Sequence, residues 1–350
     1  MADVPSPGLD FSRGLTATSR VLVTGGSGFI GTNLVASYRA AGVTVANADV
    51  QRPRNSADTD LWAPVDITRI DDIRAVVSRF RPTHVFHLAA RTDLRGREVA
   101  DYPANVEGVA ALLSALAEAS TPVIRLVVAS SRMVCRIGYQ PVSDYDYCPP
   151  TAYGASKVET ERLVRSAVAI PWVLVRPTSI WGPWFDIPYR DFFLSVARGG
   201  YFHPARRRIQ KSFGFVGNTT WQLHRLMTVP DGDVLGRTFY VADDPPVEVR
   251  DLADRIRAAL GKRPVRNVPL PVLRALSRAG DLLEWTGRRA PLTSFRLANL
   301  LTPMVHDLGP LTRATGTAPY GLDVSVPMTV AWMRRQGLID AAQPAQPAAR

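Results

Sequence analysis

Short apolar runs alternate with amphipathic stretches along the first half of the chain. A β-branched run at 21–23 is typical of a strand in a parallel sheet buried on both faces, and apolar side chains recur at helical spacing from Phe29 to Tyr38. Because strands that alternate with helices are joined by right-handed crossovers, this pattern predicts an α/β fold with a doubly wound parallel sheet. Further strands are predicted at 43–48, 61–67, 83–88 and 123–129, and further helices at 70–80 and 105–119.

The alternation breaks up after residue 183, which predicts a smaller C-terminal α/β lobe for the substrate. A strand at 237–242 is expected to return to the first domain. The stretch 270–285 is amphipathic but interrupted by charges, so it is predicted as a packed or lid-like helix rather than a membrane span. The ends lack periodicity and are predicted as mobile tails. The predicted boundaries are 1–18 and 338–350 for the tails, 19–183 for the first domain and mainly 184–337 for the lobe.

The composition of the 350-residue chain excludes several classes of protein. It has no run of about 18 apolar residues and no apolar signal core near its first residue, so we predict a cytoplasmic protein without a membrane span. Its two cysteines, Cys135 and Cys148, are too few for a disulfide scaffold or a Cys-rich metal site. No metal site is predicted.

The net charge of +11 comes from arginines scattered along the chain, so it does not indicate a nucleic-acid partner. The one local cluster consists of the arginines at 206–208 with Lys211. Two interpretations stay open for this cluster: it faces an anionic substrate, or it is a solvated basic surface.

A glycine-rich turn joins the first strand to the first helix. Gly25, Gly28 and Gly31 suit a tight turn, the close approach of a pyrophosphate and close packing of helix on sheet, in that order. The amide groups at the helix N-terminus would face the anion. No Lys-Ser/Thr pair ends the loop, so the turn predicts a dinucleotide site rather than the loop of a nucleotide hydrolase.

The second predicted strand ends at Asp49, eighteen residues past Gly31. An acidic side chain at about this distance accepts hydrogen bonds from the adenosine ribose and repels the additional phosphate of NADP. NAD is therefore the predicted cofactor. Arg52 keeps NADP as the alternative, because an arginine can accommodate the 2′-phosphate.

A second chemical pattern follows the fifth predicted strand. That strand ends at Ser130 and Ser131, and Tyr153 and Lys157 follow, four residues apart. In a helix this spacing places both side chains on one face. The lysine ammonium would favour the phenolate of the tyrosine, which could then exchange protons as a general acid or base near neutral pH.

With these motifs the sequence resembles the extended short-chain dehydrogenase/reductase superfamily, in particular its NAD-dependent sugar-nucleotide epimerase/dehydratase branch. The resemblance is strong over 20–183 and thinner to about 337. It implies a Rossmann fold in the first domain. The matching segments are TGGSGFIG at 24–31, Asp49, Asp66-Ile67, HLAA at 87–90, NVEG at 105–108, Ser130-Ser131, YGASK at 153–157 and RPTSIWGP at 176–183.

The resemblance also implies roles for individual residues. Ser131 would hydrogen-bond the reacting sugar oxygen, Tyr153 would exchange its proton, and Lys157 would bind the nicotinamide ribose while lowering the tyrosine pKa. Ser179 and Lys211 would contact the substrate, Lys211 at its diphosphate. The residues expected around the cofactor are Gly25, Gly28, Phe29, Ile30, Gly31, Asp49, Asp66, Ile67, Leu88, Ala89, Ala90, Asn105, Ser130, Tyr153, Lys157, Pro177 and Ile180.

Departures from the family pattern narrow the reaction. The 4,6-dehydratases of the family carry an Asp-Glu pair after the catalytic hydroxyl, where this chain has Arg132-Met133, so water elimination is not expected. The 3,5-epimerases place a cysteine next to that hydroxyl residue. Cys135 lies four positions beyond Ser131 and is predicted to be a small packed hydrophobe. Ser179 stands where the family has an asparagine, which indicates different substrate contacts.

The sequence thus predicts an NAD-dependent enzyme acting on a sugar nucleotide, with 4-epimerisation through a transient keto-sugar as the leading hypothesis. Such an enzyme is an isomerase that uses oxidoreductase chemistry. The alternative is an NAD(P)-dependent reductase of a keto-sugar or another carbonyl compound. A non-catalytic dinucleotide-sensing protein is the third possibility, against which the intact Ser131, Tyr153 and Lys157 set argues. A homodimer is possible.

Overall fold

The structure is a computed structural model, and it describes residues 9–288, 290 and 292–339. Short 3-10 turns occur at Ser56–Leu61, Val99–Asp101 and Arg132–Val134. The strands are β1 Arg20–Thr24, β2 Thr44–Asp49, β3 Trp62–Pro64, β4 His84–His87, β5 Arg125–Ala129, β6 Trp172–Pro177, β7 Ser179–Trp181, β8 His203–Pro204, β9 Gln210–Lys211, β10 Phe213–Phe215, β11 Thr238–Val241, β12 Val247–Glu248 and β13 Asn267–Val268. The helices are α1 Phe29–Ala40, α2 Ile70–Phe80, α3 Pro103–Ala117, α4 Ala152–Ser166, α5 Tyr189–Arg198, α6 Val216–Thr228, α7 Asp231–Val234, α8 Val249–Ala259, α9 Leu270–Trp285, α10 Ser294–Leu301, α11 Gly309–Thr315 and α12 Leu322–Arg335.

A seven-stranded sheet forms the centre of the first domain, in the order β11-β6-β5-β4-β1-β2-β3, and all its strand pairs are parallel. The predicted doubly wound α/β sheet is therefore confirmed. The chain moves from β1 to one edge, then returns to β4 and builds the other half. This switch point lies between β1 and β4, and ligands of such sheets bind at the carboxyl ends of the strands there.

Helices cover both faces of the sheet, as the alternating side chains of its strands require. Val21 and Val23 of β1 point to one face, where they lie in a core with α1, α6 and α11. Leu22 points to the other face and lies in a core with α2, α3 and α4. All three side chains are fully buried, which explains why this strand has consecutive apolar residues in its sequence.

The chain divides into two compact units whose boundaries differ from our prediction. The first contains the residues up to Ile180 together with Ser212–Pro245 and His306–Pro319. The second contains Trp181–Lys211, Pro246–Val305 and the residues from Tyr320 onward. The predicted returning strand at 237–242 corresponds to β11, which pairs with β6. However, the returning segments also carry α6 and α11, whose apolar faces complete one core of the sheet.

Two predicted boundaries require correction. The third strand, predicted at 61–67, is only the three residues of β3 at the edge of the sheet. Part of the predicted N-terminal tail is packed, because Phe11 is buried and its ring lies 5.7 Å from that of Tyr38. Residues 1–8 and 340–350 of the predicted tails lie outside the described residues.

The second unit combines short strands with α5, α8, α9, α10 and α12. The predicted helix at 270–285 corresponds to α9. Within the described ranges of the chain, none of the helices has both the length and the apolar character that a bilayer crossing demands.

Candidate active site

The glycine turn lies at the switch point of the sheet and leaves no room for side chains. Gly25 has φ of +74°, and a Cβ there would lie 2.5 Å from the backbone nitrogen of Ala89, two residues after the end of β4. A Cβ at Gly31 would collide with the carbonyl oxygen of Gly25. Bare backbone is therefore required where the turn meets α1, as expected for a turn that approaches a pyrophosphate at a helix N-terminus.

Asp49 closes the same turn from the end of β2. Its Oδ2 accepts a hydrogen bond of 3.0 Å from the backbone N–H of Ser27, and its Oδ1 accepts one of 2.9 Å from Gln51. Burial raises the pKa of the Asp49 carboxyl above its usual value, and these backbone hydrogen bonds oppose the shift. The carboxylate thus lies beside the turn, where an adenosine ribose is bound in this kind of fold.

The guanidinium of Arg52 lies over the ring of Trp62, 5.6 Å from the ring centroid. The charge of Arg54 lowers the pKa of Asp49. This placement weakens the argument that Arg52 prepares the site for a 2′-phosphate.

Asp66 and Ile67 follow β3. Asp66 accepts hydrogen bonds from the backbone and hydroxyl of Thr68, at 2.9 and 2.7 Å, and these bonds lower the pKa of the Asp66 carboxyl. Ile67 is buried, and a Cβ at Gly108 of α3 would lie 2.7 Å from its Cδ1. Gly108 thus lets α3 pack closely on Ile67, and the predicted adenine contact of this pair stays a prediction.

Asn105, at the start of α3, links three segments around the site. Its Oδ1 accepts a hydrogen bond of 2.8 Å from the backbone of Arg91, just after Leu88, Ala89 and Ala90. Its Nδ2 donates to the Arg91 carbonyl at 3.0 Å and to the Ser156 hydroxyl at 2.9 Å. Because the side chain is fully buried, Asn105 ties the loop after β4 to α4, the helix that carries Tyr153.

The structure brings Ser131 and Tyr153 to the same end of the sheet. Ser131 follows β5, where its hydroxyl accepts a hydrogen bond of 3.1 Å from the backbone of Met133, and Tyr153 lies in the first turn of α4. Burial raises the pKa of the Tyr153 hydroxyl above its usual value, and the nearby Ser131 side chain is the largest effect that lowers it. The predicted effect of Lys157 on the tyrosine pKa stays a prediction. A tyrosine in this environment is protonated at neutral pH.

Lys157 lies one turn after Tyr153 and is buried, and its Nζ donates a hydrogen bond of 2.9 Å to the carbonyl of Ala129 at the end of β5. Burial lowers the pKa of Lys157 to about 8, and the charge of Glu161, one turn further along α4, opposes that shift. The ammonium is thus fixed between α4 and the carboxyl end of the sheet.

Glu161 is a buried charged residue beside Lys157 that the sequence reasoning missed. It is fully buried and accepts hydrogen bonds from Ser130 at 2.6 Å and from Tyr147 at 2.9 Å. The guanidinium of Arg176, also fully buried, donates to both its carboxylate oxygens at 2.8 Å. The signal in the sequence was the four-residue spacing from Lys157 to Glu161, which places Glu161 on the same face of α4.

Pro177, Ser179 and Ile180 lie at and after the carboxyl end of β6, a strand that the sequence analysis did not predict. Ser179 and Ile180 are buried, and a Cβ at Gly214 would lie 2.7 Å from the Cδ1 of Ile180. Thr178, which lies between Pro177 and Ser179, donates a hydrogen bond of 2.7 Å to the carbonyl of Ser212. The roles of Pro177 and Ile180 at the cofactor and of Ser179 at the substrate stay predictions.

The placement of Lys211 does not support its predicted contact with a diphosphate. Lys211 is buried, and its Nζ donates hydrogen bonds of 2.7 and 3.0 Å to the carbonyls of Asn299 and Thr302, which join β9 to the end of α10. In the neighbouring cluster at 206–208, the Arg208 side chain is 91% exposed and lies 3.9 Å from Glu248. The geometry favours the solvated-surface interpretation of this cluster.

Comparison with known proteins shows the family. A model of the NAD dependent epimerase/dehydratase family matches residues 21–197, which include the glycine turn, Ser131, Tyr153 and Lys157. The chain belongs to this family. It is therefore an enzyme of the NAD-dependent short-chain dehydrogenase type, and the predicted NAD cofactor agrees with the family and with the geometry of the turn and Asp49.

Individual relatives differ in the reactions that their names describe. The chain is 30% identical over 298 residues to a 3 beta-hydroxysteroid dehydrogenase/Delta 5-->4-isomerase of Mycobacterium tuberculosis, which covers 79% of the chain and 80% of the relative. It is 25% identical over 272 residues to a UDP-glucose 4-epimerase of Vibrio cholerae, covering 72% of the chain and 79% of the relative. The fold is similar to that of a UDP-glucose 4-epimerase of Thermus thermophilus solved with NAD, with a TM-score of 0.66, 21% identity and coverage of 90% and 99%.

Proposed function

We propose that the protein is an NAD-dependent oxidoreductase that interconverts a secondary alcohol and its ketone on an apolar substrate without a phosphate group. The observation that carries this proposal is the hydrogen bonding of Lys211. The residue expected to bind a diphosphate is buried and donates to two backbone carbonyls of its own unit. The most extensive similarity among the named relatives given above, to a hydroxysteroid dehydrogenase, supports the same class of substrate.

The residues of the chain suit this chemistry. When bound, NAD supplies the acceptor or donor of the hydride. The Tyr153 hydroxyl transfers the proton to or from the substrate oxygen, and Ser131, whose side chain lies near enough to Tyr153 to lower its pKa, contacts the same oxygen. Because Tyr153 is protonated at neutral pH, it is suited to donate a proton to a ketone, and the reverse oxidation should accelerate as the pH rises.

Two further groups hold this arrangement in place. Lys157 is fixed on the carbonyl of Ala129, and its positive charge lies at the carboxyl end of β5 beside the two serines. Asn105 holds α4 against the loop after β4. These bonds orient the reacting side chains before the substrate binds, which lowers the entropic cost of reaching the transition state.

The second candidate is the sugar-nucleotide 4-epimerase predicted from the sequence. It is favoured by the similarity to the Vibrio cholerae epimerase and by the same Ser131, Tyr153 and Lys157 set, which serves both reactions. In that case the keto-sugar would be reduced again before it leaves the site, and no net NADH would form. If this is the reaction, the diphosphate must be bound by groups other than Lys211.

One assay separates the two candidates. Purified protein is incubated with NAD and, in parallel, with a 3β-hydroxysteroid or with UDP-glucose and UDP-galactose, and both NADH and sugar interconversion are followed. We expect net NADH formation with the steroid alcohol, abolished in Tyr153→Phe, and no inhibition by UDP, GDP, CDP or TDP. Interconversion of the UDP-sugars without net NADH would instead establish the epimerase and overturn the proposal.

A further inference from the structure

Helices α9 and α10 of the second unit form a pair held together on one side. Ser277 and Gly280 of α9 are buried, and a Cβ at Gly280 would collide with the carbonyl of Leu292, just before α10. Asp281 accepts a hydrogen bond of 2.9 Å from the backbone N–H of Ser294, the first residue of α10. These contacts fix which face of α9 packs against the protein and which face remains outside.

The outer face of this pair is apolar. Val272, Leu276 and Leu283 are spaced by four and seven residues, so they lie on one face of α9. We call the exposed large apolar side chains of α9 and α10 the α9–α10 apolar face. Its members, between 36% and 84% exposed, are Val272, Leu276, Leu282, Leu283 and Trp285 of α9 and Phe295 of α10. Six exposed large apolar side chains on one pair of packed helices indicate an interaction site.

The charges beside this face are mainly positive. Arg274 and Arg278 of α9 are exposed, and neither forms an ion pair within the part of the chain that the structure describes. The two acidic residues of α9 are already engaged: Asp281 bonds to Ser294, and Glu284 lies 3.7 Å from Arg296. The apolar face is therefore flanked by positive charge that no acidic side chain among the described residues neutralises.

We propose that the α9–α10 apolar face binds the surface of an anionic lipid bilayer. An amphipathic helix with basic residues beside an apolar face lies in the interfacial plane of a membrane, and tryptophan is enriched at that depth. Anionic lipids complement Arg274 and Arg278, whereas a second copy of a chain with net charge +11 would bring like charges together. The charge pattern thus favours a lipid surface over self-association.

Flotation of the full-length protein with vesicles tests this site without any knowledge of the substrate. We expect binding to vesicles of phosphatidylglycerol and phosphatidylcholine and at least about tenfold weaker binding to vesicles of phosphatidylcholine alone. Arg274→Gln with Arg278→Gln should weaken binding to the anionic vesicles by roughly fivefold per arginine, with the difference shrinking at high salt.

Matched variants test whether vesicle binding depends on the apolar face or on exposed hydrophobic side chains in general. Leu276→Glu with Leu283→Glu should reduce vesicle binding by at least about tenfold. The control is Val142→Glu with Val168→Glu, which removes two valines that are 93% and 91% exposed in the other unit, and it should bind as the wild type does. Brominated lipids should quench wild-type fluorescence more than that of Trp285→Phe, since Trp285 would lie at the interface.

Two results would overturn the proposal. One is equal binding of the wild type and of the double variant Leu276→Glu/Leu283→Glu to anionic vesicles, when circular dichroism shows that the double variant is folded. The other is a lipid-free dimer in light scattering that the same double substitution converts to a monomer, which would assign the face to a second copy of the chain.

Discussion

The hydroxyl of Ser130 donates a hydrogen bond of 2.6 Å to Oε1 of Glu161, and both residues are buried. This bond connects the residue before Ser131 to the ion pair between Glu161 and Arg176. The backbone position of Ser131 is thus coupled to a buried charge pair.

We predict that Glu161→Gln destabilises the protein by about 3–5 kcal/mol, because it leaves the Arg176 guanidinium buried without its counter-charge. Urea unfolding measures this loss. Any variant that remains folded should also show a shift of the pH dependence of activity, since loss of the Glu161 charge lowers the pKa of Lys157 further below about 8. The limb of the profile that reports loss of the Lys157 charge should move to lower pH.

Glu159→Gln is the control for Glu161→Gln on the same helix. Glu159 pairs with Arg162, and the two side chains are 37% and 62% exposed, so its loss should cost less than about 1 kcal/mol. Equal effects of the two substitutions would contradict the importance of the buried pair.

We predict that Tyr153→Phe lowers kcat by a factor of about 10²–10⁴ while NAD affinity changes only a few-fold, because the hydroxyl transfers the proton and the ring still packs. Steady-state kinetics and direct NAD titration measure the two effects. The matched control is Tyr102→Phe, whose ring lies 6.0 Å from that of Tyr153 and whose hydroxyl donates to the carbonyl of Asp93. A loss of activity in the control as large as in Tyr153→Phe would argue that the tyrosines act through packing.

We predict that Asp49→Ala weakens NAD binding and narrows the preference for NAD over NADP, since the carboxylate would accept ribose hydrogen bonds and repel a 2′-phosphate. Asp49→Asn keeps an acceptor for the backbone N–H of Ser27 but removes the charge. It should therefore reduce the preference for NAD over NADP with a smaller loss of NAD affinity than Asp49→Ala causes. Titrations with both cofactors check this. A wild type that already favours NADP would show that the carboxylate does not select the cofactor.

We predict that Lys211→Met lowers the free energy of unfolding by about 2–3 kcal/mol, because two charge-assisted hydrogen bonds to carbonyls are lost. The KM for substrate should stay within about twofold. Lys262→Met is the control, since Lys262 is exposed and donates to the single carbonyl of Ala197, and it should cost less than about 1 kcal/mol. A sharp rise in KM for Lys211→Met, growing at low salt, would restore the predicted diphosphate contact.

Local sequence patterns determined the sheet and the centre of the site. The apolar run at 21–23 is buried on both faces of a parallel strand, as its composition indicates, and helix periodicity predicted α2 and α9 with the observed ends. The need for glycine at positions 25 and 31 could be predicted, because a tight turn packed against neighbouring backbone leaves no room for a Cβ. The shared helix face of Tyr153 and Lys157 could be predicted, because four residues make about one helical turn.

Only the tertiary structure shows which polar side chains already bond to other groups of the protein. Lys211 meets the carbonyls of Asn299 and Thr302, 88 and 91 residues later, so no local pattern distinguishes it from a substrate contact. Arg176 pairs with Glu161 across two elements, which a charge count along the chain does not reveal. A buried charge needs a partner in space, and long-range packing of the sheet and helices supplies that partner.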